Sequence, residues 1–279
     1  MLLRDFINEA CGSLERLYPA QEARSIVSVY LEETLGVKSY THITEPSRSI
    51  PESGLGALQE GLKRLSSGEP LQYVLGYADF CGHRFKVGPS VLIPRPETEQ
   101  MVRCSLENLR PGSRVLDLCT GSGCIAWSVF LGAQDVEVTG VDISPEALEC
   151  ARSQFDGPGP DFVLSDILCE GWTGGLGKFD LLLSNPPYVM EREKALMRGN
   201  VLDYEPQIAI FVPDDDPLLF YRAIALAAPG LMKEGARGMV EINEALGEQT
   251  AAVFASAGLS DVRIERDFCN KARFVSFRK

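Results

Sequence analysis

The sequence lacks long apolar runs and has few residues of the kinds that bind transition metals. Its apolar stretches are far shorter than the ~18–20 residues that a membrane-spanning helix needs. It has two histidines in 279 residues, and no two of its eight cysteines form a Cys-x-x-Cys pair. Because a zinc site needs Cys and His ligands clustered at short spacing, the sequence predicts no metal site. The scattered cysteines also disfavour a disulfide framework, so we expect reduced thiols.

Positive charge is scarce as well. The chain has 27 Lys and Arg against 39 Asp and Glu, for a net charge of −12. A nucleic-acid-binding protein usually needs a basic surface, so this balance favours a small molecule or a basic protein surface as the partner. The N-terminal segment carries an early acid, Asp5, and no long apolar core, which is unlike a secretory signal or a transit peptide. We therefore expect a cytoplasmic protein with no membrane partner and no direct nucleic-acid substrate.

Two periodic patterns divide the chain. Over residues 1–68 apolar side chains recur three or four positions apart, which predicts a small helical bundle. Residues 69–96 are predicted to be a linker with a β-hairpin, whose strands Tyr73–Phe80 and His83–Val87 flank Cys81 and Gly82.

From residue 97 to 279, strands and helices alternate. Such alternation is typical of the α/β class, with a mostly parallel sheet covered by helices on both faces. The last two predicted strands are separated by only a short turn, so we expect them to pair antiparallel.

A glycine-containing loop follows the first strand predicted for this sheet. In Asp117-Leu-Cys-Thr-Gly121-Ser-Gly123, the glycines let the backbone approach a ligand closely. Asp142 ends the next strand, where a carboxylate can accept both hydroxyls of a ribose, and Asp166 ends the third, within reach of an adenine edge. The loop has neither the Gly-x-Gly-x-x-Gly pattern nor the Lys-Ser/Thr of a phosphate-binding loop. We interpret it as a site for a nucleoside without a pyrophosphate, namely S-adenosylmethionine.

The tetrapeptide Asn185-Pro-Pro-Tyr188 follows the buried strand predicted for Phe179–Ser184. Its two prolines fix φ and remove backbone donors, which leaves the Asn185 side-chain oxygen and the Pro186 carbonyl as acceptors. A planar NH2 group needs two acceptors, and Tyr188 offers a flat face for stacking. The tetrapeptide therefore predicts a site that holds an amide or amino nitrogen.

In this order the motifs resemble those of class I amino-methyltransferases. Three further segments, Gly68–Tyr73, Ile93–Glu99 and Tyr204–Pro206, narrow the resemblance to the HemK/PrmC family of N5-glutamine methyltransferases, and it covers essentially the whole chain. The resemblance implies a Rossmann-like methyltransferase domain with an antiparallel last strand, preceded by a helical domain that recognises the protein substrate. It also implies methylation of the Gly-Gly-Gln glutamine of peptide chain release factors, which modulates translation termination. S-adenosylhomocysteine is then the product, and no metal takes part.

The predicted site residues fall into two overlapping groups. The catalytic residues are Asn185, Pro186 and Tyr188, and these form the substrate site together with Pro187. The cofactor site comprises Asp117, Cys119, Thr120, Gly121, Ser122, Gly123, Asp142, Ile143, Asp166, Ile167 and Asn185. The resemblance further suggests that Arg95, Glu97 and Glu99 gate the site; the alternative is a cluster of charges at the start of a helix. The family often has glycine where this chain has Cys119, so we expect altered cofactor affinity.

Two other functions are compatible with parts of this pattern. An adenine-N6 methyltransferase acting on DNA or RNA makes the same demand on Asn-Pro-Pro-Tyr, but the negative net charge and the N-terminal segment disfavour it. A non-catalytic adaptor that binds release factors or ribosomes would have no need of Asn185 and Asp142.

Overall fold

The computed structural model describes residues 1–107 and 109–279 and divides into two units. The first comprises Met1–Gly76 with Arg198–Tyr204, and the second comprises Tyr77–Met197 with Glu205–Lys279. The helices are α1 (Leu3–Leu14), α2 (Ala20–Leu35), α3 (Thr41–Thr44), α4 (Glu52–Ser66), α5 (Leu71–Leu75), α6 (Pro96–Leu106), α7 (Cys124–Gly132), α8 (Pro145–Arg152), α9 (Gly199–Tyr204), α10 (Leu219–Leu231) and α11 (Gly247–Ser256). The strands are β1 (Tyr77–Phe80), β2 (His83–Lys86), β3 (Arg114–Leu118), β4 (Glu137–Asp142), β5 (Asp161–Leu164), β6 (Phe179–Ser184), β7 (Val189–Met190), β8 (Phe211–Val212), β9 (Met232–Glu241), β10 (Ser260–Arg266) and β11 (Ala272–Arg278).

A seven-stranded sheet forms the centre of the second unit. Its strand order is β10-β11-β9-β6-β3-β4-β5, with β9 through β5 parallel to one another. The last strand, β11, runs antiparallel to both of its neighbours, β9 and β10. This confirms the predicted α/β class and the mostly parallel sheet with an antiparallel last strand. The chain order reverses between β3 and β6, which is where ligands bind in open sheets of this kind.

Both faces of the sheet are buried, which is why its central strands read as continuous apolar runs. Leu116 and Leu118 of β3 pack into the core that lies against α10 and α11. Val115 precedes Leu116, so its side chain lies on the other face of the sheet and packs into the opposite core with residues of α6 and α7. The two cores cover the faces of the sheet and leave the carboxyl ends of its strands open.

The first unit is a helical bundle, as the apolar periodicity predicts. Leu3, Phe6, Ala10 and Leu14 form the buried stripe of α1 and pack with α2 and α4. Helix α9, far away in sequence, belongs to the same unit: the hydroxyl of Tyr204 donates to the carbonyl of Ser67 over 2.8 Å, and Arg198 forms an ion pair with Glu22.

The segment before the hairpin differs from the prediction. Strands β1 and β2 pair antiparallel as expected, but the first strand begins at Tyr77, not at Tyr73. Leu71–Leu75 form α5, because Pro70 precedes its first turn and Gly76, at φ 81°, ends it in the left-handed conformation. In the part of the chain that the structure describes, no helix has the length and apolar character needed to cross a membrane.

Candidate active site

A cavity opens at the carboxyl ends of the parallel strands, beside the point where the strand order reverses. The glycine loop follows β3, Asp142 ends β4, Asp166 lies just beyond β5, and Asn185 follows β6. Residues after all four strands line this one cavity. Most of the predicted cofactor residues are among them, namely Cys119, Thr120, Gly121, Ser122, Asp142, Ile143, Asp166, Ile167 and Asn185.

The two loop glycines have different local roles. Gly121 has φ 54°, and a Cβ built on it meets no atom of the described residues within 4 Å. Its side-chain position is therefore open space at the cavity wall, where a ligand can approach the backbone. Gly123, at φ 77°, is the N-cap residue just before α7, and a Cβ there lies 3.0 Å from the Cβ of Ala151 and 3.1 Å from Cζ of Phe162. Gly123 is required for helix packing and does not line the cavity.

Cys119 occupies a backbone conformation that favours glycine. Its φ is 57°, in the left-handed region, where a Cβ costs roughly 1–2 kcal/mol. Its side chain lines the cavity, and burial together with Asp142 raises the pKa of the Cys119 thiol. The thiol is therefore neutral at physiological pH.

Asp117 lies beneath the loop and not at the cavity surface. It is fully buried, and the hydroxyl of Thr120 donates to its Oδ2 over 2.5 Å. Its Oδ1 has no hydrogen-bond partner among the described residues. Burial raises the pKa of Asp117 to about 7, although the hydrogen bond from Thr120 opposes the shift.

Asp142 faces the cavity and also organises the backbone around it. Its Oδ2 accepts from the amide of Gly121 over 2.8 Å, and its Oδ1 accepts from the amide of Ser144 over 2.9 Å. Burial raises the pKa of Asp142, and these amide donors oppose that rise. Each carboxylate oxygen has a second lone pair, so Asp142 can still accept a ligand hydroxyl. Asp166 is held in a similar way by the amide of Leu168, which donates to its Oδ1 over 2.9 Å.

The Asn-Pro-Pro-Tyr segment is only partly at the cavity surface. Asn185 and Pro187 line the cavity, whereas Pro186 and Tyr188 do not. Both prolines are buried, and Asn185 and Tyr188 are half-buried. Nδ2 of Asn185 donates to Oγ1 of Thr98 over 3.3 Å. The hydroxyl of Tyr188 donates over 2.9 Å to Oε1 of Glu241.

Thr98 and Glu241 are the residues that sequence reasoning missed. The hydroxyl of Thr98 donates to Oε2 of Glu241 over 2.6 Å, although the two residues are 143 positions apart. Burial raises the pKa of Glu241, and hydrogen bonds from Thr98 and Tyr188 oppose the shift. For Glu241 the sequence did contain a signal, an acid at the end of a strand of the sheet, which is the same signal that identified Asp142.

The three charged residues suggested as a gate lie in different environments. Arg95 lines the cavity and donates over 2.7 Å to Oε1 of Glu205, whose Oε2 accepts from the amide of Ile93. Glu99 accepts from the amide of Cys81 over 3.1 Å, so it joins α6 to the β-hairpin. Neither Glu97 nor Glu99 lines the cavity.

No group of three or more His, Cys, Asp or Glu side chains in the described ranges is arranged to hold a metal ion.

Comparison with known proteins gives matches to both parts of the chain. Residues 5–76 match the family described as PrmC N-terminal domain, and residues 96–202 match the Methyltransferase small domain. A Bacteroides thetaiotaomicron protein named Release factor glutamine methyltransferase is 38% identical over 266 residues, covering 95% of this chain and 95% of that protein. A Chlorobaculum tepidum protein of the same name is 34% identical over 275 residues, covering 91% of this chain and 90% of that protein.

Among solved structures, a methyltransferase from Pyrococcus furiosus is similar in fold, with a TM-score of 0.52 and 20% sequence identity. The similarity covers 71% of this chain and 89% of that chain. It supports the class I methyltransferase fold.

Proposed function

This chain belongs to the family of release factor glutamine methyltransferases, and from that premise we propose that it methylates the side-chain amide nitrogen of a glutamine in peptide chain release factors. The chain is an S-adenosylmethionine-dependent methyltransferase, as its family and its fold indicate. The observation that carries the proposal is the position of Asn185. Its amide lies at the wall of the cavity that also contains Asp142 and Asp166, so an acceptor for an NH2 group stands beside a nucleoside site.

The residues that line the cavity fit S-adenosylmethionine. Asp142 and Asp166 supply carboxylate acceptors at successive strand ends, suited to ribose hydroxyls and to the adenine amino group. The open space over Gly121 lets the ligand lie against the loop backbone. No phosphate-binding residues are needed, because the ligand has no phosphate. We assign Ile143 and Ile167 to apolar contact with the adenine.

In the proposed reaction the protein acts mainly by aligning the substrate amide with the methyl group. When bound, S-adenosylmethionine supplies a methyl group that its sulfonium strongly activates, and S-adenosylhomocysteine remains after transfer. The Asn185 oxygen and the Pro186 carbonyl would accept the two N–H groups of the substrate amide and hold its nitrogen in line with the methyl carbon. As the C–N bond forms, the nitrogen becomes positive, and the same two dipoles stabilise that charge before a proton leaves to solvent. Tyr188 would hold the plane of the amide.

We assign no metal and no dedicated general base to this reaction, since the sulfonium already activates the methyl group. Activity should therefore persist in excess EDTA. The proposal also includes a cytoplasmic location, where release factors act, with neither a membrane nor a nucleic acid as a direct partner.

We assign recognition of the protein substrate to the helical N-terminal part, predicted as residues 1–68, and methyl transfer to residues 97–279, with residues 69–96 between them. Two observations within the helical unit support this assignment. Residues 5–76 match a domain of the same family. The unit also has large apolar side chains exposed to solvent, including Tyr40 at 59% and Ile43 at 71% exposure.

The proposal is tested by methyl transfer from labelled S-adenosylmethionine to three acceptors: purified release factor, the same release factor with its Gly-Gly-Gln glutamine replaced, and nucleic acid. We expect label in the first acceptor alone and loss of that label with Asn185→Ala. Label in nucleic acid would favour an adenine-N6 methyltransferase. Binding to release factor without any transfer would favour an adaptor.

A further inference from the structure

Thr98 and Glu241 connect Asn185 to a buried carboxylate. We propose that both are positioning residues, which turn the Asn185 side chain so that its oxygen, and not its NH2 group, is presented to the substrate amide. The inference rests on the proposed function, because it explains how Asn185 can act there as an acceptor. Thr98 and Glu241 act through Asn185 and receive no role at the reacting atoms.

The sheet brings Asn185 and Glu241 together by its register. Ser184 of β6 pairs with Val240 of the parallel strand β9, so the next residue of each strand, Asn185 and Glu241, lie side by side. In-register residues of neighbouring strands lie on the same face of a sheet. Thr98 stands in the first turn of α6, which packs beside β9, and its side chain is 2% exposed. Thr98 and Glu241 are therefore almost fully buried where they meet, and Asn185 reaches Thr98 from the wall of the cavity.

The direction of each hydrogen bond follows from the chemistry of the groups. Two hydroxyl groups, those of Thr98 and Tyr188, donate to Glu241 and favour its ionised form. An ionised carboxylate can only accept, so the single hydroxyl proton of Thr98 is directed to Oε2 of Glu241 over 2.6 Å. With its proton committed, Oγ1 of Thr98 can only accept from Asn185. The Asn185 side chain must then place its NH2 group toward Thr98, at 3.3 Å, and its oxygen on the other side. The opposite rotamer would set two acceptors against each other.

Glu241 is itself held by two further hydrogen bonds, so its position can determine those of the Thr98 and Asn185 side chains. The hydroxyl of Tyr188 donates to its Oε1 over 2.9 Å, and the hydroxyl of Tyr221 donates to its backbone carbonyl over 3.2 Å. One buried carboxylate thus fixes both polar members of the Asn-Pro-Pro-Tyr segment.

The experiment compares Thr98→Val with Thr98→Ser. Valine has nearly the shape of threonine but neither accepts from Asn185 nor donates to Glu241, whereas serine keeps the hydroxyl. Thr250→Val is the matched control, because Thr250 is fully buried in α11 and its hydroxyl has no hydrogen-bond partner among the described residues.

Four quantities are measured for each variant. They are kcat and KM for methylation of release factor, the Kd for S-adenosylmethionine by calorimetry, and the 15N–1H signals of the Asn185 NH2 group in asparagine-labelled protein. Loss of these signals in Asn185→Ala assigns them, and they report the hydrogen bond to Thr98 whether or not methyl transfer is measured.

We expect Thr98→Val to lower kcat roughly 10- to 100-fold, with KM and the cofactor Kd changed by less than about threefold. The Asn185 NH2 signals should shift and exchange faster with water. Thr98→Ser should restore both kcat and the signals, and Thr250→Val should match the wild type in every measurement.

Three results would each overturn the inference: a wild-type kcat for Thr98→Val, Asn185 NH2 signals that do not move in that variant, or a Thr98→Ser variant as impaired as Thr98→Val. Failure of the proposed function looks different. In that case the wild-type protein transfers no methyl group to release factor, or Asn185→Ala transfers it at the normal rate, and the NH2 signals alone then decide whether Thr98 orients Asn185.

Discussion

The backbone amide of Gly121 donates to Oδ2 of Asp142 over 2.8 Å, so one carboxylate both faces the cavity and anchors the glycine loop. The bond links the loop after β3 to the end of β4, across 21 positions of sequence. The conformation of the glycine loop at Gly121 therefore depends on the same side chain that we assign to binding the ribose hydroxyls.

Replacing Asp142 should weaken cofactor binding because it removes both the acceptor assigned to the ribose and the hydrogen bond that anchors the glycine loop. We expect Asp142→Ala to reduce the affinity for S-adenosylmethionine by about 1.5–3 kcal/mol, the scale of a charge-assisted hydrogen bond lost. Asp142→Asn keeps one acceptor oxygen for Gly121 and should lose less. Calorimetric titration of the two variants measures the difference, and an unchanged affinity for Asp142→Ala would remove Asp142 from the ribose role.

The sequence predicts the parts of the site that are local in the chain. The glycine loop and the Asn-Pro-Pro-Tyr segment each carry their residue types within a few positions, and the apolar strands before them place both at one edge of the sheet. Thr98 with Glu241, and Arg95 with Glu205, are 143 and 110 positions apart. Such pairs depend on register and helix placement, which a single sequence does not specify. Asp117 shows the converse case, since its motif position was clear but its burial beneath the loop was not.

Cys119 offers a test of backbone strain in the loop. A left-handed residue with a Cβ costs roughly 1–2 kcal/mol, and glycine removes that cost while making the unfolded chain more flexible. Because alanine keeps the Cβ, we expect Cys119→Gly to be more stable than Cys119→Ala by about 1 kcal/mol. Urea denaturation of the two variants without cofactor measures this difference, and equal stabilities would show that the φ of 57° carries no strain.

Asp117 should make stability depend on pH. Its folded pKa of about 7 lies above the ordinary value, so between about pH 4 and pH 7 the folded protein keeps a proton that the unfolded chain has released. Stability should therefore fall as pH rises through this window, by up to about 1.4 kcal/mol per pH unit, and level off above it.

Asp117→Asn cannot ionise and should gain stability relative to the wild type as pH rises from 5 to about 7. Chemical denaturation without cofactor measures the difference at each pH. Asp215→Asn, at an exposed loop position, is the matched control. A stability difference that stays constant across this range would contradict the raised pKa.

The helical unit should affect the protein substrate and not the cofactor. Replacing both Tyr40 and Ile43 by alanine removes two exposed apolar side chains, and we expect the KM for release factor to rise about fivefold or more. The Kd for S-adenosylmethionine should not change. Leu226→Ala, at a position of α10 that is 84% exposed, controls for the loss of an exposed apolar side chain elsewhere. Equal KM values for all three proteins would remove Tyr40 and Ile43 from recognition.

Two substitutions of Tyr188 can separate the role of its ring from that of its hydroxyl. Tyr188→Phe keeps the flat face, so turnover under saturating cofactor should change little, whereas Tyr188→Ala removes the face and should lose far more. Phenylalanine leaves Oε1 of the buried Glu241 without its donor, so Tyr188→Phe should still cost about 1–3 kcal/mol of unfolding free energy. Single-turnover methylation and urea denaturation of the same samples measure both effects. If the hydroxyl acted as a general base, Tyr188→Phe would lose as much turnover as Tyr188→Ala, and the stacking role would be wrong. Burial and Glu241 both raise the pKa of the Tyr188 hydroxyl, which makes its loss of a proton at neutral pH unfavourable and supports the role of the ring.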